Sequence, residues 1–396
     1  MFELITGRGI RKTASKYAFI YFFKGCTFVG ISPPKNAGPL YYMWSFLVNA
    51  ICIIIGPITG IAGFVIKYMK NIITTVQFLS GLQASLNLIG LPVKCLTVTS
   101  ALNRLRGIEP TLAALDARYT RPEDVALIRK AVVMGNRLVF FFGTSYLMYM
   151  LFTVIPPLIN GKAPLSVWIP FYDEHQSTMH FFGQTVYDLF LMGFVLFHQS
   201  LYDSYGSVYI YVISTHLQLL VGRVGRLGTD ATKSEDDNLN ELVDCVVTHQ
   251  QILELLARIK PIISKTIFTQ FLIMSSILCV TMVNMFFFAD RSTQIASTLY
   301  FLCVLLQTSP CCYFATELKA DSEKLPLAIF HCNWPERDRR FRKVILYFMH
   351  HAQLSIELMA MQLFPINVAT NISLAKFSFT LFTFIKEMGI GQEAKN

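Results

Sequence analysis

Val344–Gln362, VILYFMHHAQLSIELMAMQ, decides how this chain threads a membrane. The stretch competes for a place as an eighth span, and an eighth span would put both chain ends on one side. Against that, His350, His351 and Glu357 are each costly at the bilayer centre. Ile345, Phe348, Met349, Ala352, Ile356, Met359 and Leu363 recur at helical spacing on one face. The pattern predicts a cytoplasmic amphipathic helix packed on partner helices, not a spanning or re-entrant segment.

Outward from it, seven apolar runs are each about the 20 residues a helix needs to cross hydrocarbon. They lie at Tyr41–Ile66, Ile72–Val93, Gly135–Leu158, Met179–Leu201, Thr266–Ala289, Thr293–Phe314 and Leu363–Ile385. The second holds Gln83 and Asn87 and is expected to end at Pro92, with Lys94 snorkelling to the interface. Three connections are long: Cys95–Met134, Tyr202–Lys265 and Ala315–Lys343. With the N-terminal segment they carry 25 Lys and Arg, against six in the short connections and the C-terminal tail. Cytoplasmic connections collect such residues, so the N-terminus is cytoplasmic and, after seven spans, the C-terminus is extracellular. The orientation is the reverse of a G-protein-coupled receptor.

Composition agrees. Hydrophobic residues make up 53% and charged residues 15%, well below the roughly 25% charged usual in soluble domains. The predicted class is an all-α polytopic membrane protein with seven transmembrane helices and a helical cytoplasmic anchor. The net charge of +9 belongs to its cytoplasmic loops, not to a nucleic-acid site. At the N-terminus Arg8, Arg11, Lys12 and Lys16 precede only the short apolar run Tyr17–Phe23, and no cleavage site follows. A membrane-surface helix is expected there, broken by Pro33 and Pro34 before the first span. All nine cysteines fall in spans or cytoplasmic segments, which argues against a disulfide framework.

Four regions follow: 1–40, a cytoplasmic N-terminal segment; 41–314, a six-helix bundle with a ligand cavity in its outer half; 315–362, a cytoplasmic anchor loop and helix; and 363–396, a seventh helix with a short outer tail. The fourth span continues inward on the face of His216, Leu217, Leu220 and Val224 until Gly225 and Gly228. Thr229–Asn240, with Glu235, Asp236 and Asp237, reads as a solvated acidic loop. Gly222, Gly225 and Gly228 do not have phosphate-loop spacing. No catalytic constellation, cofactor motif or metal cluster is legible; His350 and His351 are adjacent and point apart on a helix. Asn371-Ile372-Ser373 is a glycosylation sequon only formally, since it lies in the seventh span.

Intramembrane polar groups are the better guide to function. Asp188 either orients a ligand or is hydrogen-bonded between helices. Lys376, with Asn367, Thr370, Asn371, Ser373 and Ser378 around it, either faces a water-filled pathway or pairs at a subunit contact. The outer halves of spans two, three, four and six carry aromatic, Met and small polar residues suited to a small lipophilic ligand: Phe78, Ala84, Asn87, Tyr146, Tyr149, Met150, Tyr187, Phe190, Phe194 and Thr298.

Several runs carry a family resemblance: Val29-Gly30-Ile31-Ser32-Pro33-Pro34, Phe268-Thr269-Gln270-Phe271, Leu306-Gln307 to Tyr313, Ser322 to Phe330 with Asn333-Trp334, and Phe364-Pro365-Ile366-Asn367-Val368-Ala369-Thr370. Over essentially its whole length the chain resembles an insect odorant receptor, specifically a ligand-tuning subunit of the dipteran kind; the long second-loop insertion of the obligate coreceptor is absent. The resemblance implies a ligand-gated cation channel of four subunits, assembled with the coreceptor in the olfactory neuron's dendritic membrane and opened by a small volatile odorant. It implies a pore lined by the outer part of the seventh helix, with a hydrophobic gate at Leu381 and Ile385 when Lys386 is matched to the family's terminal lysine. Lys376 departs from that pattern. Besides odorant, coreceptor and membrane lipid, no partner and no cofactor is implied. A gustatory receptor would usually carry Thr-Tyr-hydrophobic-x-x-x-Gln-Phe in its seventh helix, where this chain reads Phe382-Thr383-Phe384-Ile385-Lys386.

Overall fold

The computed structural model describes residues 3–6, 14–70, 73, 75–165, 169, 172, 176–230, 232–288 and 291–387. Arg8, Arg11 and Lys12 lie outside the described residues. After a short N-terminal helix, α1 (Glu3–Thr6), and a 3-10 turn over Ser15–Phe19 comes α2 (Ile20–Phe28). The first span is α3 (Pro39–Asn49), a π segment (Ala50–Ile55) and α4 (Gly56–Met69) in one run. The second is α5 (Thr75–Arg106), followed by the small cytoplasmic α6 (Glu109–Asp116). Then come α7 (Pro122–Ile159), α8 (Thr178–Val224), α9 (Glu235–Val283, with a π turn at Asn284–Phe288) and α10 (Arg291–His331). The chain closes with α11 (Arg339–Ala352), a hairpin of β1 (Met359–Ala360) and β2 (Phe364–Pro365), and α12 (Val368–Glu387).

Six of these runs are long and apolar enough to cross a membrane, and α12 supplies the seventh crossing. Several are far longer than hydrocarbon requires. The 47 residues of α8 extend to about 70 Å at 1.5 Å per residue, against about 30 Å of hydrocarbon. The surplus of α7, α8, α9 and α10 projects inward and packs as a helical base. In its inner half α8 is buried almost continuously, with Tyr205, Val208, Tyr209, Ile213, Leu217 and Leu220 among the most enclosed side chains. The expected inward face of His216, Leu217, Leu220 and Val224 is fully buried, and Gly225 caps it.

Several sequence expectations need correction. The amphipathic helix spans Arg339–Ala352 rather than Val344–Gln362. At 14 residues it measures about 21 Å, too short to cross. It buries Phe341, Ile345, Phe348 and Ala352 against the base. Beyond it the chain turns back through Met361 and Gln362, both with positive φ (47° and 60°), as a tight hairpin demands. Ser264 and Lys260 of α9 hold that hairpin through the Met361 amide and the Glu357 carbonyl. The seventh helix therefore starts at Val368, not Leu363, and Phe364 and Pro365 belong to the hairpin.

The acidic stretch is not a loop to Asn240. Ser234 and Asp237 form a reciprocal capping box, and Glu235, Asp236 and Asp237 are the first turn of α9, where carboxylates complement the helix N-terminus. The second span continues through Pro92 to Arg106. The N-terminal helix does not simply rest on lipid: Phe19 packs on Tyr209 at 4.3 Å and Phe22 on Tyr205 at 6.0 Å. Ser15 fastens its start, donating through amide and hydroxyl to Asp116 at 2.7 Å each, with His216 3.0 Å from the hydroxyl. Burial pushes the Asp116 carboxyl above its ordinary range, against the pull of those two bonds. All nine cysteines are free thiols.

Candidate functional site

Two groups of polar residues occupy the middle of the bundle, one above the other. The outer group is built by α5, α7 and α10. Asn87 donates from its amide to the Tyr300 hydroxyl at 2.8 Å, and the Tyr300 ring lies 6.0 Å from the Tyr149 ring. The Asn87 side-chain oxygen and the Gln83 side-chain nitrogen are buried without hydrogen-bond partners. Gln83 and Asn87 are one turn apart, so they share a face of α5. Unpaired buried amide atoms are costly, and here Asn87 adjoins the Tyr300 ring of α10, which faces Tyr149 of α7. An apolar site with a few polar handles is the arrangement that binds small organic molecules.

The inner group lies about two turns below. Lys94 of α5 donates to Asp203 of α8 at 2.7 Å, with side-chain exposures of 1% and 3%. Tyr146 of α7 donates its hydroxyl proton to the other Asp203 oxygen. The expectation that Lys94 snorkels to the interface is wrong; a buried carboxylate on the next helix but two holds it inside. Asp203 lies just beyond the apolar run of the fourth span, so hydropathy offers no sign of it. A Lys and an Asp 109 positions apart carry no spacing signal either.

The predicted ligand residues do not all converge. Asn87 and Tyr149 meet at Tyr300, which sequence reasoning missed, and Tyr146 sits one turn below Tyr149 but turns its hydroxyl to Asp203. Met150 faces Gly193 of α8. Phe78 stacks on Phe64 and Tyr68 of α4, at 4.9 and 4.1 Å. Tyr187 lies beside Thr59 of α4. Phe190 packs on Phe194, which packs on Phe28 and Trp44, so this pair fills the junction with the N-terminal helices. Ala84 and Thr298 are exposed, and the Thr298 hydroxyl is spent on the Gln294 carbonyl. Asp188 is fully buried; it accepts from the Leu165 amide at 2.9 Å and from Gln184 at 2.9 Å, so it ties an outer loop to α8.

On α12, Asn371, Ser378 and Phe382 face the bundle and are buried. Asn371 accepts from Thr308 at 2.8 Å and donates to Ser309 at 2.9 Å, both on α10. Phe382 stacks on Phe286 of the π turn at 4.5 Å. The opposite side is uncovered and carries Ser373, Lys376 and Thr380 in one row, flanked by Phe377, Phe379 and Phe384. Leu381 is half-buried at the edge of the packed face, and the side chain of Ile385 lies outside the described residues. A separate cavity of about 260 Å³ lies at the inner end of α12, where Lys319 and Glu357 pair at 2.9 Å beside Thr316 and Asn367.

Comparison with known proteins agrees with this architecture. The family model described as 7tm Odorant receptor matches residues 74–379. Odorant receptor 42a of Drosophila melanogaster is 33% identical over 96% of this chain and 93% of its own length. Odorant receptor 42b of the same fly is 34% identical over 100% and 99%. Among solved structures, the insect olfactory receptor OR5 from Machilis hrabei in complex with eugenol superposes with a TM-score of 0.76 at 17% identity, covering 98% of this chain and 100% of that one. A second structure of the Machilis hrabei receptor OR5 superposes with a TM-score of 0.74 at 17% identity, covering 93% of this chain and 96% of that one.

Proposed function

The chain belongs to the 7tm odorant receptor family, and from that premise we propose that it is the tuning subunit of a heteromeric, ligand-gated, non-selective cation channel opened by a small volatile molecule. It is an odorant receptor and a multi-pass membrane protein; its partner is the coreceptor subunit and its place the dendrite of an olfactory neuron. The observation that carries the channel reading is α12. A membrane-crossing helix that leaves the Lys376 ammonium uncovered on one side, in a row with Ser373 and Thr380, needs water or another protein chain there, because hydrocarbon does not solvate an ammonium; the Thr380 hydroxyl is already bonded to the Lys376 carbonyl. A ring of subunits around an aqueous axis supplies both.

The ligand binds between α5, α7 and α10, against Tyr149 and Tyr300, with Asn87 and Gln83 as its polar contacts. It shifts the receptor only by binding one arrangement of the bundle better than the other. Leu381, with Ile385 one turn on, forms the apolar ring that closes the pore by dewetting. Lys376 is five positions from Leu381, about 140° around the helix, so the two occupy different sides. Leu381 borders the packed face, and a rotation of α12 exchanges it for the Thr380 and Lys376 row. The test is replacement of Leu381 by Gln in cells that also express the coreceptor. Raised basal current without odorant is expected; unchanged basal current and unchanged permeability would remove the gate from this residue.

A further inference from the structure

The inner polar group continues across the bundle. Asp203 of α8 accepts from Lys94 of α5 and from Tyr146 of α7. Gln307 of α10 stands beside the Tyr146 hydroxyl. Gln307 in turn accepts from the amide of Gln270 on α9 at 2.6 Å. Five helices contribute one side chain each, and Gln270, Tyr146, Asp203 and Lys94 are all less than a tenth exposed. Gln270 donates to Gln307 and Tyr146 donates to Asp203, so bonded pairs flank the Tyr146–Gln307 contact and polarise the groups that meet there.

Two further facts fix its place. Asn87 and Lys94 are seven residues apart on α5, and so are Tyr300 and Gln307 on α10, so each pair shares a helix face about two turns apart. Tyr146 stands one turn from Tyr149 on α7. The helices that make the outer, ligand-facing group therefore make the inner one too. Immediately after Gln307, Thr308 and Ser309 hold Asn371 of α12, and Pro310 interrupts the backbone bonding of α10. The inner group ends where the pore helix is gripped.

We propose that the chain Lys94–Asp203–Tyr146–Gln307–Gln270 is the joint that transmits ligand binding to α12, with Gln307 to Pro310 as its output, and that these are positioning residues for gating rather than ligand contacts. This rests on the channel reading above. Charges kept inside a membrane bundle are expensive, and apolar pairs of similar volume pack as well or better. A bonded chain with discrete partners, by contrast, has two alternatives, made or broken, which a ligand about one to two turns above can bias.

The experiment is current recording with the coreceptor, normalised to surface receptor, over a panel of volatile esters, alcohols, ketones and aromatics. Lys94→Met alone strands Asp203 and lowers surface receptor. Lys94→Met with Asp203→Leu restores the surface level, yet odorant-evoked current per receptor falls about tenfold or more, within the range of coupling between sites. The ranking of odorants stays as in the unmodified chain, and adding Leu381→Gln still raises basal current, showing an intact pore. Recovery of full evoked current in the double variant would reduce the pair to a packing element. A changed ranking would make it part of the pocket. Gln270→Leu, an uncharged change at the far end of the chain, must show the same loss; normal evoked current there overturns the proposal even if the double variant fails to reach the surface. No evoked current from the unmodified chain would instead remove the channel reading on which the joint rests.

Discussion

At Lys376 helix geometry separates two roles that the sequence runs together. Its side chain is uncovered on the side of α12 opposite Asn371 and Ser378, where the pore of the proposed heteromer would run. An ammonium there repels cations over several ångströms. Lys376→Gln is expected to raise single-channel cation conductance without moving the odorant concentration for half-maximal response; single-channel recording checks this, and an unchanged conductance assigns the lysine to a subunit contact. At the ligand end, Tyr149→Ala and Asn87→Ala should reorder the odorant panel while leaving surface receptor intact, whereas equal losses for every odorant would mark a folding defect. Individual residues were the least legible part of the chain. Aromatic composition pointed to the outer halves of spans two, three, four and six, but the faces of Phe78, Tyr187, Phe190 and Phe194 are set by how α4, α5 and α8 pack. That packing has no trace in spacing. Lys94 and Asp203 were invisible as a pair for the same reason.

At the scale of elements the hydropathy pattern served well for the seven spans and poorly for their ends. Span boundaries set by apolar content stop at the membrane surface, while α7, α8, α9 and α10 run on because their inner surfaces are buried by one another. The amphipathic stretch near residue 350 was legible as a helix because its apolar residues keep helical spacing. Its end at Ala352 was not, since the hairpin that follows depends on left-handed backbone at Met361 and Gln362, two residues with no compositional preference for it. Phe348, fully buried in α11 and 5.6 Å from His249, is the natural test of the base. Phe348→Ala is expected to cost about 3–5 kcal/mol and to lower surface receptor, measured by labelling intact cells, with the odorant ranking of the receptors that arrive unchanged. A changed ranking would mean that the base shapes the pocket directly.

For the whole molecule, orientation was the strongest inference from sequence, because 25 basic residues against six is a bias that local packing does not disturb. The long basic connections gather into the helical base, and α12 starts from that base and ends on the opposite side. Epitope tags at the two ends of intact cells should stain only at the C-terminus; an accessible N-terminus would reverse the topology and with it the pore. The proposed ligand site, polar joint and pore helix lie in sequence along one bundle, so a single signal serves to check them together. The most direct measurement is whole-cell current in cells dialysed free of guanine nucleotides, expressing this chain with the coreceptor, the coreceptor alone, or this chain alone, during pulses of the volatile panel. The expected result is a rapid, non-selective cation current that needs both chains and whose odorant ranking shifts with Tyr149→Ala. A response no larger than that of the coreceptor alone, or one that appears only when GTP is restored, would contradict it.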